Sequence, residues 1–322
     1  MNRIKEQRLE KKIMNLFVLF LSVFTLAMNV VGLFGAKLMF SSHSFLFPAT
    51  LPFLTSLVVF VALAVYQQFL LKRSHGHERD PEFWMYMFFF GVAVGLSTGF
   101  SALSIAAQDI SMKEIIEASQ PIFTLCTFVF YEKQKVTTIQ LVGIFMTVFG
   151  VLCSVFETPN LAINGAIYSL IIVVSNAFVS SLSTQIKILY PFINNFLLMM
   201  YSSTFMLMTT LFISLSEAST FGEYVQLHAW DTIKFVLLSG LTMIVYQYVN
   251  LKLIECTSSL FASMVYSLKI ILVILLSVLF FEHSDPNHPK PNAAKWIGMA
   301  ITASGFMVYA FTFLAKKGVH PV

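Results

Sequence analysis

The sequence predicts an all-α membrane protein of ten transmembrane helices, arranged as two inverted-topology five-helix repeats. Three observations carry this reading: a composition unsuited to water, ten apolar segments of spanning length, and a match between the fifth and the tenth of them. Hydrophobic residues make up 57% of the 322 and charged residues 11%, with a mean hydropathy of +0.79, far from the balance of a soluble domain. The net charge of +4 is spread over short connectors, so it reports topology and argues against a nucleic-acid partner.

A helix needs about 20 apolar residues to cross roughly 30 Å of hydrocarbon. Segments of that kind fall near 13–36, 44–71, 83–107, 111–130, 138–156, 163–186, 193–215, 232–254, 257–281 and 295–315. With a cytosolic N-terminus, the cytosolic connectors and tails hold 14 Lys and Arg against five on the other side. Both termini are therefore expected in the cytosol, which requires an even number of spans. The first span lacks a small-residue cleavage site and reads as a retained anchor. Residues 1–12 form a basic tail that also carries Glu6 and Glu10, unlike an acid-poor transit peptide. A second tail covers 316–322. Cys126, Cys153 and Cys256 make neither a disulfide framework nor a metal-ligand spacing.

Residues 140–156 (QLVGIFMTVFGVLCSVF) align without gaps on 295–311 (KWIGMAITASGFMVYAF). Gly143 matches Gly298, Thr147 matches Thr302, Gly150 matches Gly305 and Phe156 matches Phe311. Just upstream, FVFYE ending at Glu132 echoes VLFFE ending at Glu282. Repeats over 13–156 and 157–315 follow, each of five spans. Because five is odd, the second enters the membrane from the opposite side. That is a transporter architecture, with the ligand site at the repeat interface near the midplane. The glycine pairs lie on single helix faces and read as packing seams where one helix can slide on another.

Lys269 is the only charged residue between Glu255 and Glu282, with 13 uncharged residues before it and 12 after. At about 1.5 Å per residue, roughly 18 Å of apolar helix separates it from water on either side. An ammonium placed there costs about 2.5 to 3.5 kcal/mol on insertion scales, and such residues face a cavity or a partner. Lys269 is accordingly the first candidate for anion binding.

The segments EASQPIFTLCTFVFYEKQ (117–134), NGAIYSLIIVVSNAFVSSLSTQIK (164–187) and YSLKIILVILLSVLFFEH (266–283), together with the glycine-paired span, resemble the nucleotide-sugar and triose-phosphate translocator branch of the drug/metabolite transporter superfamily. The resemblance implies a ten-helix antiporter, with Lys269 at the ninth-span lysine that contacts substrate phosphate. In phosphate translocators an arginine usually follows that lysine, where Ile270 stands here. A second family lysine, four residues before the fourth-span proline, is replaced by Glu117 ahead of Pro121. Lys113, one turn before Glu117 on the same face, can substitute in part. The Phe-Tyr-Asn-Asn stretch of GDP-mannose carriers corresponds to Met200, Tyr201, Ser202 and Ser203, which does not support that substrate.

Other polar groups complete the candidate set. Glu117 either pairs with Lys269 in the empty carrier, titrates during transport, or sits with Lys113 and Glu114 in interfacial water as a solvated cluster. Tyr266 shares the Lys269 face and could stack on a base or sugar. Gln120 belongs to the fourth span, and Tyr246, Gln247 and Asn250 lie in the eighth. Asn29 and Asn176 are midspan amides that serve interhelical hydrogen bonding or ligand contact equally well. Lys37 ends the first span, either as a site residue or snorkelling to the interface. The acidic connector with Glu217, Glu223 and Asp231 reads as solvated.

His75, His77, His283 and His288 show no recognised metal spacing, and no Walker or dinucleotide motif is present. Neither a metal nor a cofactor is expected, and no catalytic residue. The expectation is a non-enzyme: an alternating-access antiporter of the Golgi or endoplasmic reticulum membrane exchanging a nucleotide sugar for a nucleoside monophosphate. The alternatives are a sugar-phosphate/phosphate exchanger and an exporter of cationic or neutral metabolites. Partners are the bilayer and the phosphorylated substrates, and the sequence leaves room for a homodimer.

Overall fold

The computed structural model describes residues 16–32, 35, 47–70, 80–108, 110–155, 162–191, 193–269, 272 and 293–317. Its helices are α1 (Leu16–Gly32), α2 (Thr50–Leu70), α3 (Pro81–Ala107), α4 (Ile110–Glu117), α5 (Gln120–Phe130), α6 (Thr138–Val155), α7 (Ile163–Leu189), α8 (Asn195–Ser214), α9 (Ala218–Cys256), α10 (Ser259–Ser267) and α11 (Ala293–Lys317). Among the described residues six helices are long and apolar enough to cross a membrane, and α1, α5 and α6 are shorter apolar helices. Each of them overlaps one expected span, although several run past its expected ends and α9 begins 14 residues before the expected 232–254. The chain is an all-α, multi-pass membrane protein.

Local chemistry sets several helix starts. Asp80 caps α3 by accepting from the Glu82 amide at 3.0 Å, with Pro81 in the first turn. Ser258 caps α10 by accepting from the Phe261 amide at 3.1 Å. The start of α2 is capped from a distance: Glu217 accepts from the Ala49 and Thr50 amides at 2.9 and 2.8 Å and from the Thr50 hydroxyl at 2.9 Å. This corrects the reading of Glu217 as a merely solvated connector residue. The carboxylate satisfies orphan donors and faces the positive end of the α2 dipole.

Water drives no association between helices inside a bilayer, so close packing and interhelical hydrogen bonds must hold the bundle. The matched spans α6 and α11 pack on one another. A methyl added at Gly143 would stand 2.9 Å from the Gly305 carbonyl oxygen, and one at Gly150 would stand 2.7 Å from that of Gly298. The two helices thus cross antiparallel through their paired glycines. Gly91, Gly95 and Gly99 make a similar stripe on α3, against Phe205, Thr209 and Ile213 of α8. Large apolar side chains such as Phe149, Phe212 and Phe311 remain exposed on the outside, suited to lipid.

The fourth and ninth spans are not continuous helices. The fourth breaks at Ala118 and Ser119, between α4 and α5. Pro121 has no amide to donate and would crowd the carbonyl four residues back, that of Glu117. The ninth breaks at Leu268, whose amide bonds back to Val265 in a tightened turn. Ala118 and Leu268 are 150 positions apart, the same offset as Glu132 and Glu282.

Candidate functional site

The two helix breaks bring four charges together. Lys269, just past the ninth-span break, places Nζ 2.9 Å from Glu114 Oε2 and 3.1 Å from Glu117 Oε2. Lys113, one turn before Glu117 on α4, reaches Glu117 Oε1 at 2.5 Å and lies 3.6 Å from Glu114 Oε1. The Tyr266 hydroxyl donates to Glu117 Oε2 at 2.7 Å and accepts from Lys269 at 2.9 Å. The Lys269 ammonium also lies 4.2 Å from the centre of the Tyr266 ring, within cation–π range. Both lysines and both glutamates are no more than 2% exposed. That decides against the solvated alternative: a cluster this buried persists because each charge has an opposite partner.

A cavity of about 340 Å³ adjoins the cluster. Lys113 and Tyr266 form part of its lining, while Lys269, Glu114 and Glu117 lie behind them. Its polar wall carries Asn29 of α1, Asn176 of α7, and Tyr246 and Gln247 of α9. Asn176 accepts from the Ser97 hydroxyl at 2.6 Å, and Tyr246 hydrogen-bonds Asn29. Apolar lining comes from the end of α1, the start of α2, the end of α3 and α9, among them Leu51, Pro52, Ile105 and Leu238. These ends lie opposite the end of the bundle where α1 begins and α11 finishes.

At that other end three side-chain clusters tie helices together. Glu132, just past α5, accepts from Ser259 of α10 at 2.5 Å and Ser181 of α7 at 3.0 Å. Glu255 at the end of α9 pairs with Lys187 of α7 at 2.6 Å and Lys252 at 2.7 Å, and accepts from Asn195 at 3.1 Å. The Tyr190 hydroxyl donates to Asp80 at 2.9 Å.

A family model described as the triose-phosphate transporter family matches residues 14–310. The chain belongs to the triose-phosphate transporter family. A solved crystal structure, described only as that of a protein, superposes with a TM-score of 0.62 over 92% of this chain and 98% of its own, at 14% identity. That likeness shows the fold. No curated protein matches. Members of the triose-phosphate transporter family are membrane solute transporters, not enzymes, and the chain is one of them.

Three further candidates of this transporter do not line the cavity. Tyr201 packs edge-on against Phe83 and Trp84, at 5.4 and 5.7 Å between centroids. Its ring packs in the core shared by α2, α3, α7, α8 and α9, and it lines no part of the cavity. Gln120 is buried with its Oε1 lacking a hydrogen-bond partner among the described residues, and neither it nor Asn250 lines the cavity. Lys37 lies outside the described residues. Sequence reasoning passed over Glu114 as a site residue. Its spacing from Glu117 and from Lys113 was visible, but without the break at Ala118 nothing placed it against Lys269. Ser97, hydrogen-bonded to Asn176, was likewise missed, because one serine in an apolar span carries no signal.

Proposed function

We propose that the chain is an alternating-access antiporter that exchanges a nucleotide sugar for a nucleoside monophosphate across the Golgi or endoplasmic reticulum membrane, with both termini cytosolic. The observation that carries this reading is the pair of broken helices bringing Lys113 and Lys269 into one buried cluster beside the cavity, Lys113 on its lining and Lys269 behind it. Discontinuous helices at equivalent places in two repeats are how transporters expose charge near the midplane. The shared 150-residue offset and the antiparallel glycine seam of α6 and α11 support ten spans in two inverted repeats. Lysine ammonium groups suit phosphate oxygens, and the amide and tyrosine wall suits a base or sugar. Two glutamates within the cluster temper its positive field, which favours a phosphate of spread charge.

A second reading, exchange of a sugar phosphate against phosphate, draws on two observations. Lys113 restores a second cation beside the position where Glu117 replaces a family lysine. The cavity volume of about 340 Å³ is at the small end of ligand sites, which run from about 300 to 1,000 Å³.

Counter-exchange in liposomes separates the readings. Vesicles carrying the purified protein are preloaded with UMP, GMP, CMP, AMP or inorganic phosphate and offered labelled nucleotide sugars or hexose phosphates. Acceleration by one nucleoside monophosphate supports the first reading and acceleration by phosphate the second. Absence of exchange for every phosphorylated solute, or full activity of Lys269→Ala, defeats both.

A further inference from the structure

The cluster below the cavity holds two ammonium groups and two carboxylates, so its formal charge is zero before any substrate arrives. Each lysine is already engaged: Lys113 on Glu117, and Lys269 on both glutamates. A phosphate can take an ammonium here only by drawing it off a carboxylate. That would leave two anions side by side in a site where buried charge is unfavourable unless paired. Binding of a proton relieves the conflict, because a neutral carboxyl needs no cation and can donate to a neighbouring oxygen.

The two glutamates are not equivalent. Glu117 is held by Lys113 at 2.5 Å, Tyr266 at 2.7 Å and Lys269 at 3.1 Å. It keeps the Lys113 ion pair and the Tyr266 hydrogen bond when Lys269 turns to a phosphate. Glu114 has one close donor, Lys269 at 2.9 Å, while its other oxygen stands 3.6 Å from Lys113 and makes no hydrogen bond among the described residues. If Lys269 leaves, Glu114 is the carboxylate stripped of its partner.

The ionisable groups around it are Lys113 and Glu117 on α4, Tyr266 and Lys269 from the ninth span, and Tyr246 of α9, which senses the same charges. The helices α3, α6 and α7 also pack on α4 and supply no ionisable partner to Glu114 among the described residues. Among the described residues, no other carboxylate in that shell would be left with fewer donors once Lys269 turns away.

We infer that Glu114 is a proton-binding site that loads as a phosphorylated anion takes Lys269, so the carrier moves each anion together with a proton. This rests on the anion-exchange reading and adds a co-substrate to it. The test uses the full chain with UDP-glucose, GDP-mannose and glucose 6-phosphate as probes. The diester phosphates of the two nucleotide sugars keep a constant charge from about pH 5.5 to 8.5, so their pH response belongs to the protein.

Calorimetric binding to the wild type in buffers of different protonation heat should show uptake of about one proton per anion at neutral pH. Counter-exchange should fall by up to about tenfold per pH unit on the alkaline side, the slope of one titrating group. Glu114→Gln should abolish both the proton uptake and the slope. Binding or exchange of either nucleotide sugar without proton uptake by the wild type overturns the inference. So does a Glu114→Gln protein that keeps the wild-type pH profile. If none of the three binds or exchanges, the anion reading itself fails and the proton site falls with it.

Discussion

Lys113 and Lys269 approach Glu117 from opposite oxygens, so removing either one leaves the other to serve two carboxylates. Breaking a buried pair from one side costs about 3–5 kcal/mol. Lys269→Ala should therefore lower the thermal unfolding midpoint of the purified protein by several degrees. It should also weaken anion binding about 10- to 100-fold, the worth of one charge-assisted hydrogen bond of about 1.5–3 kcal/mol. Binding isotherms and a melting curve check the two effects separately.

Glu132 offers a second test at this scale. Burial raises its carboxyl above the ordinary value of 4.5, against the lowering effect of the Ser259 and Ser181 hydroxyls. The folded protein thus holds this proton more tightly than the unfolded chain. Stability then falls as pH rises from about 4.5 through the raised value, and it is recovered on acidification. Glu132→Gln should remove that part of the slope in melting midpoints taken between about pH 4.5 and 7.5; an unchanged slope would place the titration elsewhere.

At this scale much was legible in the sequence: Lys269 stands out by isolation, and Tyr266 follows from helical spacing. Tyr201 does not, because an aromatic in a packed core and one in a pocket have the same neighbours along the chain.

Helix breaks and helix seams are the features of the next scale. The sequence marks the fourth-span break with Pro121, yet the ninth-span break at Leu268 has no proline or glycine near it and emerges only from packing. Glycine spacing on α6 and α11 did signal close approach, and the structure shows how tight it is. A Cβ at Gly150 would meet the Thr302 amide nitrogen at 2.5 Å, whereas one at Gly32 would meet nothing within 4 Å. Gly150→Val should destabilise by about 1–3 kcal/mol through overpacking, read as a lower melting midpoint. Gly32→Ala should leave that midpoint within a degree or two.

For the whole molecule, the cavity and the three polar clusters occupy opposite ends of the bundle. Cysteine labelling in a background lacking Cys126, Cys153 and Cys256 exposes that polarity. Ser101→Cys and Leu238→Cys, on the cavity wall, should react with a membrane-impermeant thiol reagent from one side. Ser259→Cys, buried against Glu132, should react slowly from either side until substrate exchange opens that end. Equal labelling of all three would contradict a one-sided cavity. The all-α membrane class followed from hydropathy, since a bilayer leaves few ways to satisfy the backbone. Which end stands open did not, because two states of one carrier share one sequence.

The distant cap on α2 limits how such a carrier can move. Glu217 grips three donors at the first turn of α2, and α2 lies along both α8 and α9. Tilting α2 away would strand those donors and bare the carboxylate at once. In an alternating-access motion of the kind proposed, α2, α8 and α9 would therefore travel as a single jaw, and α3, whose glycine stripe is pressed onto α8, would go with them.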